Sequence, residues 1–441
     1  MNYVIIGAGP AGVTAAETIR SVDKTGSITI VGGEDEPPYS RMAIPYLLHN
    51  NITEQGTYFR QQPGHYDRLN ITYKKAKVAG IDTAGRKVVT SNVEQIPFDK
   101  LLLATGASPI MPPIEGAKLP GVHTCWTLED ARAIARIVGP GANVVLVGAG
   151  FIGCIVLEAL HQVGCNLTVV ELAPRMVARM MDETAGGMLG RWSTNQGVRV
   201  LTNTKVERIW PGSGAGSSKL SVGLSNGEFL PAALVVMAVG VRSNTAFLAN
   251  TGVKTNVGVT VNQYLETSVP GIYAAGDCCE GVDLSTGKPD MLAIQPVAVE
   301  HGRLAGLNMA GVKTPHRGSL NMNVLDTMGL ISSSFGLWQG APGGQTAKLI
   351  DEKNFKYLKL EFLGDKMVGA QCVGMTDQVG MLRGLIQSGF SLGEWKDKLM
   401  ESPERLREAY VAVSQGWPRT PANGRHVNAP AHAPTGFAAG N

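Results

Sequence analysis

The feature that most constrains this chain is a glycine pattern that occurs twice. The first copy reads Val4-Ile5-Ile6-Gly7-Ala8-Gly9-Pro10-Ala11-Gly12 and the second Val145-Leu146-Val147-Gly148-Ala149-Gly150-Phe151-Ile152-Gly153. In each, an apolar run suited to a buried parallel strand leads into G-x-G-x-x-G and then into a helix-compatible stretch. The first glycine of such a loop makes the tight turn, the second lets the backbone approach a pyrophosphate, and the third lets helix and strand pack closely. The pyrophosphate then lies against free N–H groups at the positive end of the helix. Two such loops imply two dinucleotides, and two dinucleotides on one chain imply electrons passing between them.

One glycine pattern alone says little, because glycines gather in turns for many reasons. The surroundings of these two say more. Each is followed by a second apolar run that ends near a carboxylate: Ser27 to Val31 leads to Glu34, and Leu167 to Val170 leads to Glu171. A carboxylate there can accept hydrogen bonds from the hydroxyls of an adenosine ribose. The copies align without a gap, and Glu17 falls opposite Glu158.

Bulk properties narrow the classes further. A formal net charge of +3 over 441 residues gives no electrostatic footprint for nucleic acid. No uncharged apolar run is long enough to span a bilayer. The first strand begins so close to Met1 that no signal peptide fits before it, so a cytoplasmic protein is expected. The six cysteines, Cys125, Cys154, Cys165, Cys278, Cys279 and Cys372, form no C-x-x-C or zinc spacing. They are expected to be thiols, and no metal site is expected.

The length predicts two or three domains. Residues 1–118 start with the first β-α-β unit, continue through strand-like runs at 72–79 and 86–91, and end on the apolar strand Lys100 to Gly106. Residues 119–245 repeat the pattern, from a helix-like stretch at 127–138 to the apolar run 233–240, with a Gly/Ser-rich hairpin loop at 211–218. Residues 246–318 contain Gly271-Ile272-Tyr273-Ala274-Ala275-Gly276-Asp277 and a helix-like run from Ala298 to Met309. Residues 319–417 change character, with alternating strands such as 356–362 and helices at 380–387 and 404–413, as in a separate α+β domain. Residues 418–441 are rich in Pro, Ala, Gly and His and are expected to be disordered, with His426 and His432 solvated.

The first fingerprint, Leu103-Ala104-Thr105-Gly106, the second fingerprint and Gly271 to Asp277 stand in the order found in the two-dinucleotide-binding-domain flavoproteins. Over residues 1 to about 415 the chain resembles that pyridine nucleotide–disulfide oxidoreductase family, in its nitrite reductase, ferredoxin reductase and NADH oxidase branch. The resemblance implies an α/β fold of two Rossmann-like domains. The FAD domain is discontinuous, the nicotinamide domain is inserted into it, and a C-terminal α+β interface domain follows. It implies FAD held by Gly7, Gly9, Pro10, Ala11, Gly12, Glu34, Arg41, Val78, Ala104, Thr105, Gly106, Gly276, Asp277, Gln295 and Pro296. The helix after Gln295-Pro296 would point its N-terminus at the flavin. The nicotinamide cofactor falls to Gly148, Gly150, Phe151, Ile152, Gly153, Glu171, Val239 and Gly240. NADH is expected rather than NADPH, because Glu171 suits a ribose diol and repels a 2′-phosphate; Arg175, four residues on, leans the other way.

The departures from the family pattern are informative. Relatives carry redox cysteines in the segment that here reads Pro37-Pro38-Tyr39-Ser40-Arg41-Met42-Ala43-Ile44-Pro45-Tyr46, where Met42 takes the place of a single cysteine. A thioether forms neither a thiolate nor a mixed disulfide. The histidine that oxidases and peroxidases carry in the first fingerprint is Pro10 here, and no His-Pro pair closes the last domain. Electron-transferring relatives have a lysine at the position of Tyr46 and a glutamate at that of Ile155, and both charges are missing. Their joint loss leaves no unpaired buried charge. It is either a neutral replacement of a structural pair or a change in flavin potential or acceptor. Met42 and Tyr46 are the candidate flavin-face residues; Tyr46 either shields the flavin or only packs. Cys278 and Cys279, next to Asp277, either pack or take part in redox chemistry. Trp338, Trp395 and Trp417 are candidate interface anchors or ordinary core.

Three functions remain in competition. The leading one is a reductase that takes hydride from NADH through FAD to a protein electron carrier or a downstream redox enzyme, working as a homodimer, since the difficult chemistry belongs to the cofactor. The second is an NADH oxidase or a reductase of coenzyme A disulfide, polysulfide or persulfide. The third is a non-catalytic flavoprotein that senses NADH.

Overall fold

The computed structural model describes residues 1–212 and 219–416. The tip of the 211–218 loop, the tail from Trp417 onward, and with it His426 and His432, lie outside the described residues.

Two five-stranded sheets share one plan. In the first, the all-parallel order is Ile272–Ala274, Lys100–Leu103, Asn2–Ile6, Ser27–Gly32, Ile71–Lys75. Four of these strands are largely apolar and buried on both faces, as parallel strands covered by helices must be, while the edge strand Ile71–Lys75 is polar and half-exposed. Helix α1 (Pro10–Val22) follows the first strand, and the short helices α2 (Ile44–Leu48) and α3 (His65–Arg68) lie in the long connection to the Ile71–Lys75 strand. The expected run 72–79 is broken: one strand ends at Lys75, and another, Val78–Asp82, starts an antiparallel meander with Lys87–Thr90 and Gln95–Pro97. The chain leaves the parallel sheet at Ala76–Lys77 and pairs elsewhere.

The second sheet is parallel in the order Arg199–Leu201, Asn166–Val170, Asn143–Val147, Leu234–Met237, Val122–His123. Helix α4 (Leu128–Ala135) starts at a reciprocal cap between Thr127 and Asp130. Helix α5 (Phe151–Gln162) follows the second fingerprint, and α6 (Glu183–Asn195) is capped by the Asp182 carboxylate. This sheet has its own antiparallel meander, Val206–Pro211, Leu220–Leu224 and Phe229–Ala232. Helix α7 (Gln295–Met309) packs along α1 and is buried on most of its sides, which explains why its sequence shows little apolar striping.

The C-terminal sheet is antiparallel: Met322–Thr327, Leu330–Gly336, Lys366–Val373, Lys356–Leu363, Gln345–Asp351. One face packs on α8 (Val379–Ser388), α9 (Glu394–Glu401) and α10 (Leu406–Ser414) around Phe335, Leu360, Phe362 and Leu385. The other face brings Tyr357 and Val373 into the core that surrounds α5 and α6. The fold is thus α/β, with two Rossmann-like cores and an antiparallel sheet-and-helix unit docked on the second.

Candidate functional site

The glycines of both loops do what their spacing requires. Gly7 has φ +113°, and a Cβ there would lie 2.0 Å from the Ala104 carbonyl oxygen; Gly148 has φ +99°, and its Cβ would lie 2.5 Å from that of Ala238. Only glycine tolerates both the angle and the approach. A Cβ on Gly12 would meet the Gly7 oxygen at 2.0 Å, and one on Gly153 the Gly148 oxygen at 2.2 Å. These contacts press each helix onto its loop. Gly9 and Gly150 differ: a Cβ on either has nothing within 4 Å. Each opens onto free space beside a helix start that no side chain caps. First-turn N–H groups are available there, so both cradles fit a dinucleotide phosphate.

The remaining residues expected around FAD gather at the carboxyl ends of the first sheet's strands, where ligands of such sheets bind. Glu34 follows Ser27–Gly32, Ala104 to Gly106 follow Lys100–Leu103, and Gly276 and Asp277 follow Ile272–Ala274. Gly276 has φ +75° and sits against Ala11 and Ala298, wedged between α1 and α7. Gln295 and Pro296 form the first turn of α7, and Ser40 donates to Gln295 Oε1 at 2.8 Å. Glu34 accepts the Tyr39 hydroxyl at 2.6 Å and pairs with Arg41. Arg41 also donates to the Trp126 carbonyl at 2.7 Å, which ties this segment to the second sheet's unit. Burial raises the Tyr39 hydroxyl above its ordinary range, so it remains a donor. Burial also raises the Asp277 carboxyl, opposed by the Arg41 charge. Val78 starts its strand half-buried against the first core, just past the Ala76–Lys77 turn.

At the second loop, Glu171 directly follows Asn166–Val170. Its Oε2 accepts the Ala149 N–H at 2.6 Å and its Oε1 the Ala173 N–H at 2.7 Å. Phe151 and Ile152 open α5, and Val239 and Gly240 follow Leu234–Met237. Val177 folds back over the loop and donates its N–H to the Ala149 carbonyl at 2.8 Å. It does so at φ +45°, a strained position for a β-branched residue, costing about 1–3 kcal/mol. Arg175 is folded inward, with Nε on the Met181 carbonyl at 3.0 Å and Nη2 on that of Ala178 at 3.3 Å. These two bonds turn the guanidinium toward its own loop.

Two strands cross between the units side by side, Ala107–Pro109 outward and Val241–Ser243 back. Asn244 fastens them: its Nδ2 donates to the Thr105 carbonyl at 2.9 Å, and its Oδ1 accepts Ser108 Oγ at 2.8 Å. Sequence reading missed Asn244, which lies four residues past Gly240.

Met42 and Tyr46 are 43% and 52% exposed, on the segment that runs into α2. Helix α2 packs against α5, and Ile155 lies half-buried beside the cluster that contains Ile44 and Leu48. Helices α2 and α5 are joined here by apolar packing. All six cysteines are free. Burial pushes the Cys154 thiol up to about 12 and raises those of Cys278 and Cys279. Cys278 Sγ points at the Leu103 carbonyl, 3.3 Å away, a packing arrangement without a thiolate.

The structure separates the two readings of the tryptophans. Trp338 is only 8% exposed, and its carbonyl accepts Lys359 Nζ at 3.0 Å, so it belongs to the interior. Trp395 is half-buried and roofed by Lys398 and Arg405, 4.4 and 5.3 Å from its ring. Trp417 lies outside the described residues.

Comparison with known proteins agrees with this geometry. The profile of the pyridine nucleotide-disulphide oxidoreductase family matches residues 1–302. NADH oxidase of Methanocaldococcus jannaschii is 33% identical, over 74% of this chain and 73% of that protein. Rhodocoxin reductase of Rhodococcus erythropolis is 32% identical over 72% and 74%. The epsilon subunit of NADH-dependent phenylglyoxylate dehydrogenase of Aromatoleum evansii is 29% identical over 94% and 98%. Among solved structures, an NAD-dependent persulfide reductase from A. fulgidus superposes with a TM-score of 0.82 at 29% identity, covering 89% of this chain and 78% of that one. The chain belongs to the pyridine nucleotide-disulphide oxidoreductase family and is a flavoprotein oxidoreductase that uses FAD and NADH.

Proposed function

We propose that this protein carries electrons from NADH, bound at the Gly148–Gly153 loop, through FAD, bound at the Gly7–Gly12 loop, to a protein acceptor. Bound FAD supplies the redox chemistry, taking hydride from NADH and releasing electrons onward. The chain's own residues hold and orient. The α1 N-terminus and Gly9 receive the flavin pyrophosphate, Glu34 the adenosine ribose, and Asp277 and α7 the opposite end of the same cofactor. Glu171 takes the ribose of NADH. We place the flavin unit at 1–118 and 246–318, the nucleotide unit at 119–245 and the interface unit at 319–417. The observation that carries a protein acceptor is the state of the thiols: Met42 stands in the flavin segment, and burial raises the pKa of all six cysteines, Cys125 beside Trp126 included. Rhodocoxin reductase and the epsilon subunit of a larger dehydrogenase, both similar to this chain, support the same reading.

Stopped-flow spectroscopy of the purified yellow holoprotein tests it. NADH bleaches the flavin fast, air reoxidises it slowly, and a one-electron protein carrier reoxidises it fast. Rapid turnover with oxygen would make it an oxidase; a slow bleach with a long-lived complex would make it a sensor. The proposal includes a homodimer working in the cytoplasm. Ile350 and Leu363, exposed on the C-terminal sheet, offer apolar surface for pairing. Light scattering that gives the mass of one chain would remove the dimer. Among the described residues no helix is long and apolar enough to cross a membrane.

A further inference from the structure

Ala149, in the second glycine loop, is held through both of its flanking peptides. Glu171 takes its N–H and Val177 donates to its carbonyl. Since Val177 sits at φ +45°, the segment from Glu171 to Asp182 does not keep this shape by its own preference. Arg175 and the turns at Val177 brace it from within, and further bonds reach it from a distant part of the chain. Gln371, in the middle of the C-terminal sheet and 0% exposed, donates Nε2 to the Met180 carbonyl at 3.2 Å and accepts the Asp182 N–H on Oε1 at 3.3 Å. It brackets Met181 much as a neighbouring strand would. Tyr357 donates its hydroxyl to Asp182 Oδ2 at 2.7 Å, while Asp182 Oδ1 caps α6 through the Ala185 N–H. Lys359 lies 3.6 Å from the same Asp182 carboxylate and 2.8 Å from Glu361, which is 3% exposed. Lys359 is the register partner of Gln371, so these side chains form one face of the sheet.

Docking alone calls for apolar packing, which the surrounding methionines Met176, Met180, Met181 and Met328 already supply. A buried lysine with two carboxylates is a poor source of stability compared with apolar residues of the same size. It does fix one geometry. We infer that Gln371, Tyr357 and Lys359 are positioning residues for NADH. The C-terminal sheet sets the Glu171–Asp182 segment, and through it Ala149 and the Glu171 carboxylate, in the arrangement that receives the dinucleotide. The inference rests on the second glycine loop being the NADH site.

The test is steady-state kinetics of the holoprotein with ferricyanide as acceptor, calorimetric binding of NAD+, and hydrogen exchange. Gln371→Leu keeps the volume and cuts both bracket bonds. It should raise the KM for NADH and the NAD+ Kd by roughly fivefold or more, with kcat at saturating NADH within about twofold and flavin content unchanged. Exchange should rise in peptides covering 145–155 and 171–182, and stay as it was in those covering 2–22. Tyr357→Phe, which removes one hydroxyl, should move KM the same way by about twofold to threefold, and it decides the matter if Gln371→Leu does not fold. An unchanged KM, or a fall in kcat or flavin content at constant KM, overturns the inference. Glu171→Ala separates it from its premise. If Glu171→Ala leaves the NAD+ Kd untouched, the nucleotide-site reading itself fails. If Glu171→Ala weakens NAD+ and Gln371→Leu does not, only the positioning role fails.

Discussion

In the first half of the molecule the carboxylate after the second strand, Glu34, reaches away from its loop to Tyr39 and Arg41; in the second half Glu171 reaches back and holds Ala149. The helices behave likewise. Glu17 on α1 binds Arg60 at 2.6 Å and His65 at 2.8 Å, within its own unit. Glu158, its counterpart on α5, takes the backbone N–H of Met328 from the C-terminal sheet. Two backbones that match glycine for glycine have therefore acquired different attachments. The first is held within its own unit and against α7, with Arg41 reaching across to the Trp126 carbonyl. The second is built into the C-terminal unit, which also contributes Leu325, Leu330 and Tyr357 to its core. The comparison teaches that the loop geometry is generic, while the carboxylates decide what each loop answers to.

The strongest way to break this comparison is to block both loops equally. Gly7→Ala and Gly148→Ala place a methyl 2.0 Å and 2.5 Å from a carbonyl oxygen. Gly7→Ala should cost FAD occupancy tenfold or more, about 1.4 kcal/mol at least, measured as flavin absorbance per protein. Gly148→Ala should leave the flavin in place and weaken NADH by a similar factor. Equal flavin loss in both would show that the loops are not independent.

The carboxylates come next. Glu171→Ala is expected to weaken NADH by roughly tenfold while FAD stays bound, since it removes ribose acceptors and the Ala149 clamp together. Glu34→Ala is expected to weaken FAD retention and leave the NADH KM alone; calorimetry and flavin content distinguish the two, and crossed effects would reverse the assignment.

A pH titration isolates the first half. His301 on α7 is 2% exposed with both ring nitrogens unpartnered, 4.7 Å from the ring of His316. Burial depresses the pKa of His301 to about 3 and also lowers that of His316. The unfolded chain protonates His301 below about 6.5 and the native protein does not until about 3. Stability is therefore complete above pH 6.5 and falls as pH drops through that window, by up to about 1.4 kcal/mol per unit per histidine. Melting curves of His301→Gln should show a shallower slope between pH 6 and 4; an unchanged slope would place the titration elsewhere. The smallest effect is expected from Met42→Ala, with ferricyanide turnover within about twofold of the parent. A collapse there would mean that this segment does chemistry.

Much of this was legible in the sequence because it is local. Gly7, Gly9 and Gly12 lie within one turn and a half of chain, and their spacing alone states which must bend, which must open and which must touch. Glu171 was readable as the residue that ends an apolar run. What escaped was nonlocal. Nothing near Gln371 announces that its partners are Met180 and Asp182, and Asn244 looks like an ordinary turn residue until the two crossing strands meet. Trp338 stayed open between interface and core because a tryptophan suits either, and only the packed sheet decides. Arg175 was open for a related reason: charge suggests an anion, and only the fold shows that its own loop's carbonyls are near.

The pairing of Ala107–Pro109 with Val241–Ser243 has a practical corollary. Ser108 and Arg242 are direct register partners, so the chain enclosed between them departs and returns at adjacent points. Such a piece can be treated as a cartridge: another family member's counterpart, spliced at these two positions, demands no new linker. Its fit would hinge instead on the docked faces, among them whether the replacement presents an aspartate to Tyr357 and a carboxylate to the Met328 N–H.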